Sequence, residues 1–175
     1  MKKKKIPKKN YIILTLITIF SILTVFYLTS WYNATKEYYM NNSIMTDFLS
    51  EINPEELDNY IMDNPVSVIY LASSKNADIK SFEKSFKKLI KEEEIKDSII
   101  YMDVYKIVDD NFFPDLKDNY FSDELKADNI FLTSNPNIMV IENRQIVDIL
   151  NKKDKKLELR STKNLLIKHG IINND

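Results

Sequence analysis

Ser73-Ser74-Lys75 is one place on this chain where residue types could do covalent chemistry, since a lysine amine can accept the proton of a serine nucleophile. Adjacent residues rarely hold the geometry of such a dyad, and no oxyanion-hole donor or further base is readable near it. A solvated loop is the expectation. The acids Asp103, Asp109, Asp110, Asp115, Asp118, Asp123 and Glu124 raise the question of a calcium site. The D-x-D-x-D-G spacing with its later glutamate is missing, so these acids read as a solvated face. His169 is the only histidine. One imidazole does not make a typical zinc site, and His169 is expected either as a surface residue or as a charge at the C-terminus of the last helix. Cysteine is absent altogether, which excludes thiol nucleophiles, disulfide exchange and thiolate metal ligands. Neither catalysis nor a metal or cofactor is expected.

The remaining place where chemistry could sit is the joint inside "SVIYLASSKNADIKSFEKSF", Ser67 to Phe86. The β-branched, apolar run 65–72 reads as a buried strand. A short polar loop follows. Then Ile79, Phe82, Phe86, Leu89 and Ile90 recur at helical spacing over residues 78–94, with Asp78 as the expected N-cap. A helix N-terminus at Asp78 attracts anions, but the Asp78 carboxylate would repel them.

The elements around this joint follow from the same patterns. Asn53, Pro54 and the Glu55-Glu56 pair predict a helix start, with Leu57, Tyr60 and Ile61 as its apolar face. Residues 97–105 read as a second buried strand, and residues 106–135 as one or two short helices with a loop. Residues 136–150 predict a β-hairpin turning at Asn143-Arg144, because Asn tolerates positive φ. The charged stretch 151–160 is expected to continue the sheet at an edge. A last helix over 161–172 is expected to start at Ser161 or Thr162 and end at Gly170. Helix, strand, helix, strand, helical insert, hairpin and helix together predict a three-layer α/β sandwich with a central mixed sheet.

Charge divides the chain into two environments. The net charge is −1, yet Lys2, Lys3, Lys4, Lys5, Lys8 and Lys9 crowd the start and no acid precedes Glu37. Without those six lysines, 19 basic residues face 26 acidic ones, a balance of −7. Tyr11 to Tyr32 is a run of 22 residues without a charge, flanked by Tyr11 at one end and Tyr27, Trp31 and Tyr32 at the other. At ~1.5 Å per residue it matches the ~30 Å of a bilayer's hydrocarbon. The run is longer than a cleaved leader's core and ends in bulky aromatics, so an uncleaved anchor is expected. The lysines should stay in the cytoplasm and serve as a topology signal. The expected organisation is a basic tail over 1–10, a single membrane span over 11–32, a stalk over 33–52 and an extracytoplasmic domain over 53–175. An acidic domain argues against nucleic acid as a partner. Abundant Lys, Asn, Ile and Tyr, with their AT-rich codons, point to a low-GC Gram-positive bacterium.

"VSVIYLA", "SFEKSFKKLI", "SIIYMDVY" and "SNPNIMVIENRQIVDIL", in this order, resemble the thioredoxin-like superfamily over about residues 54–172. That likeness implies a thioredoxin-like sandwich and a cis Asn135–Pro136 bond. It also places the family's Cys-x-x-Cys redox motif within Lys75–Ile79, either at Lys75 and Asp78 or at Asn76 and Ile79. No such pair can exchange a disulfide, so the resemblance implies a fold without its redox activity. Relatives hold extended peptides around that loop and its proline. The implied contact surface here is Ser74, Lys75, Asn76, Ala77 and Asp78 together with Asn135, Pro136 and Asn137. The expected function is a membrane-tethered, non-redox binding or accessory protein that engages an envelope protein or an exported peptide. The alternative is a structural subunit of a secretion or conjugation apparatus, held through its membrane helix.

Overall fold

A computed structural model describes residues 8–75, 77–127, 130, 132, 136–151 and 157–173. The chain divides into two compact units, Met1–Met40 and Asn41–Asp175. The first is dominated by helix α1, Lys8–Asn41. Its stretch Lys8–Tyr38 is long and apolar enough to cross a membrane. The hydroxyls of Thr15, Thr18, Ser21 and Thr24 each donate to the carbonyl four residues back at 2.9 Å, so these four would not be left bare among lipid tails. The helix outlasts the apolar run and takes up residues 33–41, the first half of the expected stalk.

The second unit is built on one sheet. Among the described residues its strands are β1 (Glu51–Ile52), β2 (Val66–Ala72), β3 (Ile99–Asp103), β4 (Asn137–Glu142) and β5 (Gln145–Leu150). Their order is β1-β3-β2-β4-β5. The pairs β1–β3 and β3–β2 are parallel, while β2–β4 and β4–β5 are antiparallel. The helices of this unit are α2 (Leu57–Asp63), α3 (Lys80–Glu92), α4 (Phe112–Tyr120), α5 (Asp123–Ala127) and α6 (Leu159–Lys168). This is the expected thioredoxin-like three-layer sandwich around a mixed sheet.

The period of two sorts each strand's side chains between two cores. Val68, Tyr70, Ile99, Tyr101, Ile138 and Val140 face Phe82, Phe86, Leu89 and Ile90 of α3 and Leu165 and Leu166 of α6. Ile69, Leu71, Ile100, Met102, Met139 and Ile141 face Leu57 and Ile61 of α2, Leu116 of α4 and Leu125 of α5. Both faces of β2 and β3 are covered, which is why these strands carry apolar runs rather than an alternation. The hairpin turns where expected: Asn143 and Arg144 both have positive φ, 51° and 68°, as a type I′ turn requires.

Several local expectations are revised. Asp78 does not cap α3. It lies in a 3₁₀ turn, Ala77–Ile79, and Ile79 holds the N-cap place. The last helix starts before Ser161: Glu158 takes the N-cap place, and the Thr162 hydroxyl donates back to the Glu158 carbonyl at 3.2 Å. Gly170, at φ 67°, does end it. The N–H groups of Gly170 and Ile171 reach back to the carbonyls of Ile167 and Leu166 at 3.0 and 2.9 Å, a Schellman closure. The expected edge strand over 151–160 does not form at its C-terminal end, where Leu159 and Arg160 are helical; residues 152–156 lie outside the described residues.

The largest revision concerns residues 42–52, which were expected in the stalk. Met45 is 0% exposed and Leu49 5%, both inside the α3-side core. Glu51 and Ile52 form β1. Two of its apolar side chains, Met45 and Leu49, four residues apart, join the α3-side core, and Phe48 packs against it half-buried. The packed domain therefore starts about ten residues before the expected boundary.

Candidate functional site

The joint after β2 is organised from beneath by two buried carboxylates. Asp103, the last residue of β3, is 4% exposed. Its Oδ1 accepts the N–H of Ser74 and the N–H of Tyr105, both at 2.9 Å. One carboxylate oxygen thus ties the turn after β2 to the turn after β3, as charge-assisted bonds do well. Two further bonds fix the same turn. The Tyr101 hydroxyl donates to the Ala72 carbonyl at 3.0 Å, and the Ser43 N–H donates to the Ser74 carbonyl at 2.7 Å. Burial, followed by the charge of Asp103, pushes the Tyr101 phenol far up, so it stays a donor at any physiological pH.

Glu83 is the second. It sits on α3 at 0% exposure. It accepts the Ser43 hydroxyl at 2.6 Å, the Ile44 N–H at 2.8 Å and the Tyr70 hydroxyl at 3.1 Å. Burial raises its carboxyl above the ordinary range; the bonds from Ser43, Ile44 and Tyr70 and the charge of Lys80 oppose that rise. The Lys80 Nζ is itself out of reach of solvent and makes no hydrogen bond among the described residues, so it acts on Glu83 through charge alone. Glu83 therefore holds the segment that follows α1 against the strand and helix that frame the joint.

Above these anchors the rim is open. Lys75 is exposed and its Nζ lies 3.8 Å from the centre of the Tyr105 ring. Tyr105 is 63% exposed and Val108 is 90% exposed. Lys75 is therefore turned to an aromatic ring and makes no hydrogen bond to Ser73 or Ser74 through its amine, which is not the arrangement of a Ser/Lys nucleophile. Ser73 Oγ accepts the Lys75 N–H instead, at 3.3 Å, as in a local turn.

The candidate contact residues divide. Ser74 is half-buried, while Lys75 and Asp78 are exposed. Ala77 opens the 3₁₀ turn. Pro136 and Asn137 are buried, and Asn137 pairs with Leu71 as the first residue of β4, so neither offers its side chain to solvent. Their end of β4 lies beside the C-terminal end of β2, which brings that segment next to the joint from below. Asn76 and Asn135 lie outside the described residues, and with Asn135 the expected cis Asn135–Pro136 bond. No group of three His, Asp or Glu side chains able to hold a metal occurs among the described residues.

His169 stands at the C-cap of α6, the helix end expected for it, but not at the surface. Its side chain is 10% exposed. Nδ1 lies 2.7 Å from Glu142 Oε1 and Nε2 lies 3.0 Å from Asp148 Oδ2, so the ring bridges β4 and β5 from the end of α6. The two carboxylates lie on opposite sides of the ring and do not converge on a metal. Lys168 adds a bond to the same Asp148 oxygen at 2.6 Å.

No family model and no curated protein matches this sequence. Among solved structures, mitochondrial thioredoxin 3 of Saccharomyces cerevisiae in its oxidized form aligns over 59% of this chain and 82% of its own, at 18% identity and a TM-score of 0.40.

Proposed function

We propose that this chain is a membrane-tethered, non-redox binding or accessory protein. Its folded domain lies on the outer face of a bacterial membrane and engages an envelope protein or an exported peptide through the rim of the joint. The observation that carries this reading is the joint itself. Asp103 and Tyr101 hold it in place, Lys75, Asp78 and Tyr105 stand exposed on it, and the whole chain holds no thiol. A rigid loop with an exposed cation and aromatic ring and no reactive group is suited to holding a partner rather than transforming one. The anchor is α1, with the lysine-rich tail in the cytoplasm by the positive-inside rule.

Photo-crosslinkers placed at Ser74, Lys75 and Asp78 test the reading in cells, with Met62 and Val66 as controls at the opposite end of β2. Capture of one defined envelope protein or peptide from the joint and not from the controls is expected. Capture from the controls alone would sink it. Replacing α1 by an unrelated membrane helix separates this reading from that of a machine subunit held through its span. The binding module keeps its crosslinks after the exchange, and the subunit loses its assembly.

A further inference from the structure

Lys87 and Lys91 of α3, with Lys96 beyond it, take part in a second feature, one that the binding reading does not use. Three ammonium groups converge on the half-buried ring of Phe48. Lys87 Nζ lies 4.7 Å from its centre, Lys96 Nζ 5.3 Å and Lys91 Nζ 5.7 Å. Any two of these charges are then no more than about 11 Å apart, close to one Debye length at physiological salt. They repel one another in the free protein. None forms an ion pair with a carboxylate among the described residues. The acids nearest in sequence are otherwise placed: Glu92 pairs with Lys88 at 3.4 Å and Glu93 with Lys163 at 2.7 Å. Asp47, Glu94 and Asp97 also flank the patch and form no ion pair with it.

The cluster runs against the charge of its own domain, since the chain without its N-terminal lysines stands at 19 basic to 26 acidic residues. Three ammonium groups gathered at one aromatic ring make a composition that adsorbs to anionic lipid. The ring enters the headgroup layer, the stems of the lysines cover apolar surface and their heads meet phosphates. The chain carries its own membrane-length helix, and Phe48 follows the last residue of that helix by only seven positions. At ~3.5 Å per residue seven residues span at most about 25 Å, so chain length alone allows Phe48 to reach a bilayer that α1 enters. We infer that Phe48, Lys87, Lys91 and Lys96 form a docking surface for anionic phospholipid headgroups.

The full chain, reconstituted in vesicles, tests this directly. Because it has no cysteine, Asp47→Cys accepts a single spin label beside Phe48, and Val108→Cys accepts one on the joint's rim as a control. Vesicles of phosphatidylcholine are compared with vesicles containing about a third phosphatidylglycerol, an anionic headgroup. In the anionic vesicles the label at position 47 should lose access to a water-soluble nickel relaxant and gain access to oxygen. The label at 108 should not change. Each lysine contributes about a fivefold bias toward the anionic surface, so Lys87→Gln, Lys91→Gln and Lys96→Gln together should lower the docked-to-free ratio about a hundredfold. Salt at ~0.5 M should act in the same direction. Equal accessibility in the two lipids, or protection that survives the triple substitution in a protein with unchanged circular dichroism, overturns the inference. So does loss of protection on adding inorganic phosphate at constant ionic strength, which would assign the lysines to a free anion.

Discussion

Removing Glu83 should detach the segment that follows α1 from the folded domain. In Glu83→Ala three donors lose their acceptor: the Ser43 hydroxyl, the Ile44 N–H and the Tyr70 hydroxyl. A buried donor left unsatisfied costs roughly 1–3 kcal/mol. The two hydroxyls can rotate toward other acceptors, which puts them at the low end. Relief of the buried charge offsets part of the loss. We expect a net destabilisation of about 2–4 kcal/mol, a large share of the roughly 5–15 kcal/mol of a domain this size. Glu83→Gln is the informative partner. Its amide oxygen can face the Ile44 N–H while its NH₂ donates to Ser43 and Tyr70, whose hydroxyls also accept. That variant should stay within about 1 kcal/mol of the parent at neutral pH. The pH dependence has a definite sign. The folded pKa is raised, so between the unfolded value and the folded one the native state holds a proton that the unfolded chain has released. Glu83's contribution is therefore greatest at acid pH and declines as pH rises through its folded pKa. The difference between Glu83→Gln and the parent should shift in favour of the variant over that window. Urea unfolding of residues 41–175, followed by circular dichroism from acid to neutral pH, measures both terms. A loss below 1 kcal/mol for Glu83→Ala, or a Glu83→Gln curve parallel to the parent at every pH, would refute the reasoning.

Three further outcomes follow from single contacts. Asp103→Ala should leave the N–H groups of Ser74 and Tyr105 without their shared acceptor and cost about 2 kcal/mol. Amide exchange should speed at both residues, and Asp103→Asn should retain most of the protection because its amide oxygen can serve the same two donors. Asp148→Asn should loosen the end of α6. Partial burial alone would raise the Asp148 carboxyl, but bonds and charges from Lys168 and His169 bring it below its ordinary range. Its contribution is therefore present above the unfolded pKa and lost as pH falls through the folded one, which an acid titration of the two proteins should show. It is a half-exposed group, so the difference at neutral pH should stay near or under ~1 kcal/mol. Gly170→Ala should cost about 1 kcal/mol in thermal or urea unfolding, because φ is 67° there. An added methyl meets nothing within 4 Å, so the cost is conformational and no clash adds to it.

The parts of this molecule that sequence reveals are those where one local signal suffices. β2 and β3 are apolar on both faces and bounded by polar turns, so length and composition identify them. Asn143 announces the hairpin through its tolerance of positive φ, and the Schellman end of α6 is written in the lone glycine. The organising groups of the joint obey a different logic. Asp103 closes a strand whose pattern is complete without it, and its two partners come from separate turns. Glu83 did leave a local trace. It stands four residues after Ile79 and three before Phe86, inside the stripe that α3 buries, where a charged residue is either an error or a tether. Its partners Ser43 and Ile44, 40 and 39 residues earlier, left none. Read by itself, the segment 42–52 gives no sign of the carboxylate on α3 that binds it. The same holds for His169, whose burial depends on Glu142 and Asp148 arriving from the hairpin. Apolar periodicity is a property of one segment and can be read from it. A buried polar group is a contract between distant segments, and the useful sign in a sequence is a charge standing where the pattern calls for a hydrocarbon.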